Sequence, residues 1–251
     1  MADIELLLDL HKNAARQGPG GEAETRLAIA MSGLSGRRHL KIADIGCGTG
    51  ASAITLAKSL HADIAVVDFL PGFLKELERR AKAEGVSGQI TTLAASMDAL
   101  TFEPSSLDAI WSEGAIYNIG FGRGIRSWRQ FLKPGGVLAV SELTWLSKER
   151  PAELEDHWSR EYPEVDTASA KMALLEAHGY TPLGYLPLPV TCWLDNYYRP
   201  MQARFEAFLA KHDGSAAARA LIAAEQSEID LYERFSAFVS YGYYVARKLP
   251  D

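Results

Sequence analysis

A glycine-rich segment, Asp44-Ile45-Gly46-Cys47-Gly48-Thr49-Gly50, follows a short apolar run and precedes a helical pattern. Glycine allows close backbone approaches that a Cβ would block, so such a turn can lie directly against a nucleotide. The next apolar run ends at Asp68, where a carboxylate can accept hydrogen bonds from both hydroxyls of a ribose. Either feature alone is often only a tight turn or a helix cap. In consecutive strand–helix units, the two together predict a nucleotide-binding edge of a sheet.

The residues around the turn bear on which nucleotide it binds. Gly46, Gly48 and Ala51 also satisfy the dinucleotide fingerprint, which leaves NAD(P) open. Asp44 places a carboxylate beside the turn, which would repel a pyrophosphate but suits the cationic end of S-adenosylmethionine (SAM). After the third strand, Ser96-Met97-Asp98 offers a carboxylate to an adenine amino group. The pattern therefore favours SAM.

The elements that must position these residues alternate between strands and helices. From Lys41 to Glu142, short apolar runs such as IAVVD and VLAVSEL are separated by helical segments. This rhythm predicts an α/β fold with a Rossmann-like, doubly wound, seven-stranded and mostly parallel sheet. The β-rich segment Tyr241 to Lys248 is expected to form an antiparallel last strand.

The chain is expected to form a single domain. Its 251 residues, 47% of them hydrophobic, can bury a full core. Within residues 1–251 we expect a helical lid over 1–35, a SAM-binding core over 36–142 and an acceptor-side half over 143–251. A helix is predicted from Ile4 to Gln17, ahead of the glycine-rich break that follows it. A helical insert at about 190–227 is expected to cover the site.

Composition argues against several classes of partner. A net charge of −6 disfavours nucleic acid, because phosphate binding needs a basic surface. The two cysteines, Cys47 and Cys192, lie far apart, which indicates a reducing compartment and no metal site. Asp3 and Glu5 stand where a signal peptide needs positive charge, and no apolar run reaches the roughly 20 residues of a membrane span. We expect a cytoplasmic protein without a membrane partner; its oligomeric state is not indicated.

The motifs resemble those of the class I SAM-dependent methyltransferases. DIGCGTG, VVD, SMD and LKPGG stand in that family's order between about Lys41 and Glu142. RQGPGG, SEGAIYNIGFGRG and SELTWLSKERPAE are similar to a bacterial subgroup of small-molecule-type methyltransferases, distantly similar to the ubiquinone and menaquinone C-methyltransferases. The resemblance implies methyl transfer from SAM to a small-molecule acceptor, with S-adenosylhomocysteine as product.

The resemblance also implies roles for the motif residues. The glycine turn would line the methionine moiety, Asp68 would hold the ribose beside Phe69, and Met97 with Asp98 would read the adenine edge. Cys47 would face the cofactor through its backbone. The expected cofactor contacts are Asp44, Gly46, Cys47, Gly48, Gly50, Asp68, Phe69, Ser96, Met97, Asp98 and Gly18. Four arginines are candidates for the SAM carboxylate or an acidic substrate, although solvated surface charge is the commoner role: Arg16, Arg26, Arg123 and Arg126.

Acceptor-side residues are expected where the fourth strand ends. Methyl transfer is an in-line displacement, so alignment supplies much of the catalysis and no metal is required. Glu113 is a candidate base or holder of a cationic acceptor, and the alternative is a cofactor amino-group ligand or a cap. Tyr117 could line the methyl channel and Asn118 could orient a polar acceptor. Three aromatic residues are candidates for the acceptor pocket, although core packing is the commoner fate of such side chains: Trp145, Trp193 and Tyr197.

Two other functions share part of this pattern. An NAD(P)-dependent oxidoreductase would be expected to carry a Tyr-x-x-x-Lys pair, but Tyr180 is followed at the fourth position by Gly184. A SAM-binding regulatory or scaffold protein would keep the cofactor motifs without turnover. Product formation distinguishes that protein from an enzyme.

Overall fold

Eight strands form one sheet in the computed structural model, which describes residues 2–250, with side chains from residue 5 onward. The sheet order is β3-β2-β1-β4-β5-β8-β7, and the short β6 pairs with β5. The strands are β1 (Leu40–Ile45), β2 (Ala62–Asp68), β3 (Ile90–Ala94), β4 (Leu107–Glu113), β5 (Leu132–Trp145), β6 (Asp166–Thr167), β7 (Tyr180–Pro187) and β8 (Val239–Lys248). Strands β1 to β5 are mutually parallel, and β8 runs antiparallel to β5 and to β7. The Rossmann-like sheet with an antiparallel last strand is confirmed, with β6 as an eighth short strand.

Helices cover both faces of the sheet, because its central strands are apolar on both sides. Along β5, Val137 and Ala139 belong to one core cluster, while Leu138 and Val140 belong to the other. The helices that precede the acceptor-side insert are α1 (Ala2–His11), α2 (Glu22–Ser32), α3 (Ala51–Ser59), α4 (Pro71–Ala83), α5 (Phe121–Trp128), α6 (Ala152–Glu161) and α7 (Ala168–Ala177).

The first helix is shorter than its sequence pattern predicts. It ends at His11, and residues 12–21 run as irregular chain up to α2. The Gln17 side chain donates to the carbonyls of His11 (3.1 Å) and Ala14 (3.4 Å), so it binds the end of the helix instead of extending it. The predicted extension of the helix to Gln17 was wrong. Residues 12–21 instead form a strap next to the glycine turn.

The segment after β7 is helical and lies at the carboxyl end of the sheet. It comprises α8 (Val190–Trp193), a π-helical turn (Leu194–Tyr198), α9 (Arg199–Gln202), α10 (Phe205–Lys211) and α11 (Ala216–Phe235). Ser215 caps α11 by accepting a hydrogen bond from the amide of Ala218 (3.3 Å). No glycine or proline interrupts α11, so the helix extends beyond the insert predicted at about 190–227 and ends at Phe235. Across the described part of the chain, each helix is too short or too polar to span a membrane.

Candidate active site

The glycine turn joins β1 to α3 at the carboxyl edge of the sheet. Asp44 pairs in register with Val66 of β2 and with Trp111 of β4, so the strand ends between two neighbours. Gly46 has a φ of +74°, and a Cβ there would collide with the Cβ of Ala115. The turn is therefore restricted to glycine by both conformation and space.

Asp68 connects the end of β2 to the glycine turn. Its Oδ2 accepts a hydrogen bond from the amide of Gly48 (3.0 Å), and its Oδ1 accepts one from the amide of Leu70 (2.9 Å). Burial raises the pKa of this carboxyl, and the backbone donors oppose that rise. Carboxylate oxygens have further lone pairs available, so this arrangement fits a group that also accepts ribose hydroxyls.

Asp44 is fully buried and incompletely paired. Its Oδ2 accepts a hydrogen bond from the Ser52 hydroxyl (2.6 Å), whereas Oδ1 has no partner within the described residues. Burial raises the pKa of Asp44 to about 7, and the Ser52 bond opposes the rise. A buried acceptor without a donor is unusual in a folded protein, and the amino group of SAM is a donor of the required kind.

Glu113, at the end of β4, has donors on both oxygens. Oε2 accepts from the Arg16 guanidinium (2.7 Å), and Oε1 accepts from Thr25 (2.7 Å), Tyr243 (3.0 Å) and the Trp111 indole (3.2 Å). The Arg16 side chain is only 12% exposed. These contacts favour Glu113 as an anchor for Arg16 over a catalytic base, because its oxygens already bind four side-chain donors.

The strap (residues 12–21) closes over the glycine turn. Gln17 Oε1 accepts a hydrogen bond from the amide of Thr49 (2.8 Å), and Arg80 donates to the carbonyls of Ala15 and Thr49 (both 2.9 Å). Between strap and turn lies a cavity of about 60 Å³, lined by Arg16, Gln17, Gly18, Pro19, Gly46, Cys47, Gly48, Ala51, Ser52, Glu113 and Gly114. Of the four candidate arginines, only Arg16 lines this cavity. Sequence could not single it out, because its burial depends on contacts with β4.

The expected adenine contacts lie at the ends of β2 and β3. Phe69 is 59% exposed, and the Ser96 hydroxyl donates to Asp98 Oδ1 (2.6 Å). The carbonyl of Met97 accepts a hydrogen bond from the Trp128 indole (3.0 Å), which ties the loop after β3 to the end of α5. The Asp98 carboxylate also lies 3.6 Å from the Arg123 guanidinium and its side chain is 39% exposed, so Phe69 and Asp98 are both accessible, and the roles of these residues stay predictions.

The candidate acceptor residues after β4 differ in their surroundings. Tyr117 is 43% exposed and its ring lies edge-on to that of Tyr162, with centroids 6.1 Å apart. The Asn118 amide donates to the carbonyl of Ala115 (2.9 Å), a local contact that stabilises the turn. Tyr117 therefore presents its ring, whereas Asn118 is engaged with its own backbone.

The three aromatic residues proposed for the acceptor pocket also differ in their burial and contacts. Trp193 is 1% exposed, stacks on Tyr232 at 4.4 Å and donates its indole proton to Ser240 (2.9 Å). These contacts place it in the core, which is the commoner of the two roles considered for it from the sequence. Trp145 is also buried, under the Arg150 guanidinium at 4.5 Å. Tyr197 is only partly buried and lies beside Tyr198 in the π-helical turn.

Sequence reasoning overlooked two acids, one buried and one partly buried, whose pKa values are raised. Glu142 lies near the end of β5 and is 1% exposed; Glu228 lies on α11. Burial raises the pKa of each to about 7. Glu142 stands inside the SEL segment of an apolar strand, which was the available signal.

Comparison with known proteins agrees with this geometry. Residues 42–136 match the family model described as "Methyltransferase domain". The chain is 27% identical over 197 residues to an uncharacterized protein of Haemophilus influenzae, covering 67% of this chain and 78% of that protein. It is 28% identical over 122 residues to a ubiquinone/menaquinone biosynthesis C-methyltransferase of a Geobacter species, covering 47% of this chain and only 51% of that protein.

Solved structures share the fold. A SAM-dependent methyltransferase of Geobacter sulfurreducens, crystallised with S-adenosylhomocysteine, has a TM-score of 0.80 at 16% identity, covering 98% of this chain and 97% of that one. The cyclase SpnF has a TM-score of 0.75 at 20% identity, covering 99% and 93%. The matches favour methyltransferases over dinucleotide-dependent oxidoreductases. Residues 42–136 are thus a methyltransferase domain, and these matches, together with the glycine turn, Asp68 and the β5–β8 pairing, support a class I SAM-dependent methyltransferase.

Proposed function

We propose that this methyltransferase acts on a small-molecule acceptor and releases S-adenosylhomocysteine. The observation that carries the proposal is the position of the cavity between the glycine turn, Glu113–Gly114 and the strap residues 16–19, which cover it on one side. The helices of the segment after β7 add further cover at the same end of the sheet. A covered site suits a compact acceptor better than a polymer.

The residues around the cavity fit the cofactor. Asp44 Oδ1 is a buried acceptor in need of a donor, and Arg16 is a buried cation suited to a carboxylate. We assign Asp44 to the amino group, Arg16 to the carboxylate and Asp68 to the ribose hydroxyls. Bound SAM supplies an electrophilic methyl group, and the chain supplies alignment and exclusion of water.

The strap is assigned the role of a lid. A cavity of about 60 Å³ is far smaller than the roughly 300 to 1,000 Å³ of ligand sites, so residues 16–19 must move to admit the cofactor. The bonds from Gln17 to Thr49 and from Arg80 to Ala15 are the contacts that opening would break. Glu113 holds Arg16 in reach of the cavity in this proposal, and Tyr117 borders the acceptor.

Calorimetric titration with SAM, S-adenosylhomocysteine and NADH tests the cofactor assignment. We expect micromolar binding of the first two and none of NADH. Release of S-adenosylhomocysteine in the presence of small acceptors then separates an enzyme from a SAM-binding protein without turnover. Binding of NADH alone would overturn the proposal.

A further inference from the structure

Arg16 borders two cavities. It lines the cofactor cavity and also a second cavity of about 390 Å³, to which α2, α3, α4 and the π-helical turn contribute residues. Three carboxylates line the second cavity, with side chains that are 48 to 60% exposed: Glu22, Glu84 and Asp195. Because an arginine side chain has many rotamers, a guanidinium at this place can pair toward either cavity.

In the structure the guanidinium is held toward the cofactor cavity. Its Nη1 donates to Glu113 Oε2 (2.7 Å), and its Nη2 donates to the Thr25 hydroxyl (3.4 Å). Glu113 lines the cofactor cavity and is not among the residues that line the second one. A Cβ on Gly20 would collide with Arg16 Nη1, so the strap passes directly against the guanidinium. Arg16 therefore adopts the arrangement that serves the cofactor.

Glu113 is itself oriented by neutral donors. Thr25 on α2, Trp111 on β4 and Tyr243 on β8 all donate to Oε1, which leaves Oε2 to Arg16. Thr25 and Tyr243 are both buried, so no solvent replaces their hydroxyl groups easily. Neutral donors orient the carboxylate without competing with the guanidinium for a charge. They also stabilise the Glu113 anion when a second carboxylate approaches the same guanidinium.

From these contacts we propose that Thr25 and Tyr243 are positioning residues for recognition of the cofactor's carboxylate. They act through Glu113, which fixes the Arg16 guanidinium against the cofactor cavity. When either hydroxyl is removed, Glu113 loses a donor and Arg16 turns more often toward the acids of the second cavity. The inference rests on the proposed function, in which Arg16 binds the carboxylate, and adds the residues that select this arrangement.

Cofactor analogues separate this role from simple packing. S-adenosylhomocysteine carries a carboxylate and an amino group, whereas its decarboxylated analogue keeps only the amino group. In calorimetric titration, we expect the parent protein to bind S-adenosylhomocysteine at least about tenfold more tightly, because the analogue lacks the partner of Arg16. Tyr243→Phe and Thr25→Val should each weaken S-adenosylhomocysteine about 3- to 10-fold and leave the affinity for the analogue unchanged. The two substitutions lie on different elements, so either variant that remains folded tests the inference by itself.

Three further variants sharpen the comparison. Thr25→Ser keeps the hydroxyl and should bind S-adenosylhomocysteine as tightly as the parent. Tyr244→Phe removes the neighbouring buried hydroxyl of β8, which is hydrogen-bonded to Thr144 (2.8 Å), and should change neither affinity. In an Arg16→Gln background, Tyr243→Phe should weaken S-adenosylhomocysteine no further, because no guanidinium remains to be positioned.

The possible results distinguish this inference from the proposed function. Selective loss of affinity for S-adenosylhomocysteine, restored in Thr25→Ser, would support the inference. Equal weakening of both ligands, or unchanged affinity for S-adenosylhomocysteine, would overturn it and leave the methyltransferase intact. A parent protein that binds both ligands equally would overturn the assignment of Arg16 to the carboxylate, and the inference with it. Failure of S-adenosylhomocysteine to bind at all would instead overturn the proposed function.

Discussion

The ends of β4 and β5 carry two buried glutamates in opposite electrostatic situations. Glu113 on β4 accepts four hydrogen bonds, one of them from a guanidinium. Glu142 on β5 accepts one from a backbone amide, lies near the Tyr162 hydroxyl and the Lys171 ammonium, and has one oxygen without a partner among the described residues. The two strands are adjacent and parallel, so sheet position does not explain the difference.

The difference distinguishes a buried carboxylate that stabilises the fold from one that can bind a ligand. A carboxylate with all its donors in place contributes to the packing that holds Arg16 and the strap beside the glycine turn. A buried carboxylate with an unpaired oxygen lowers stability, and a ligand can offset this by supplying the missing partner. We therefore regard the β4 end as the cofactor anchor and the β5 end as the acceptor side.

The largest effect is expected for Glu113→Ala. Removing this carboxylate leaves Arg16 as an uncompensated buried charge and deprives three further donors of their acceptor. We expect the free energy of unfolding, measured by urea denaturation, to fall by about 3 to 5 kcal/mol. Glu233→Ala, on the exposed face of α11, should change it by no more than about 0.5 kcal/mol. If Glu113→Ala lowered the free energy of unfolding by less than about 1 kcal/mol, Glu113 would not be the stabilising, fully paired carboxylate that distinguishes it from Glu142.

Glu142→Gln is expected to raise the free energy of unfolding, whereas Glu113→Ala lowers it. Its folded-state pKa of about 7 exceeds the ordinary value of 4.5, so the native state binds this proton more tightly than the unfolded chain. The carboxyl therefore lowers stability as pH rises from about 4.5 to 7. Without ligand, the variant should be more stable than the parent by up to about 3 kcal/mol at about pH 8, with little difference at about pH 4.5. Destabilisation at both pH values in thermal or urea unfolding would mean that Glu142 is paired, with Lys171 the nearest cation.

Asp68→Ala tests the cofactor side. The charge-assisted hydrogen bonds lost to the ribose are worth about 1.5 to 3 kcal/mol, so SAM affinity measured by calorimetry should fall roughly 10- to 150-fold. Asp63→Ala, at an exposed position of the same β2, serves as the control. Unchanged affinity at Asp68 would place the ribose elsewhere.

Gln17→Ala should have the smallest effect. The variant loses the bond to the Thr49 amide and those to the carbonyls of His11 and Ala14, so the strap opens more readily. We expect S-adenosylhomocysteine to dissociate about 2- to 10-fold faster in stopped-flow measurements. Gln130→Ala, distant from the strap in the chain, is the control. An unchanged rate would argue that the strap does not gate the cofactor.

The cofactor half of the site was largely predictable from sequence. The glycine turn and Asp68 lie in consecutive strand–helix units, and their geometry depends on local backbone conformation. Gly46 needs its positive φ whatever packs elsewhere, and a carboxylate at the end of β2 must lie at the carboxyl edge. Such features can be read from neighbouring residues.

The acceptor half was decided by the tertiary structure. Three donors to Glu113 come from residues 88, 97 and 130 positions away in the chain, and the surroundings of Glu142 are formed by β8, α7 and the segment before β6. From the sequence alone, Arg16 looks like a surface arginine and Trp193 looks like a pocket residue. Their burial becomes apparent only when elements distant in the chain are packed against them. The sequence by itself determined the sheet, the turn and the cofactor class, because these follow from local conformation and apolar periodicity. Which charges are buried, and which of them lack a partner, is set by long-range packing.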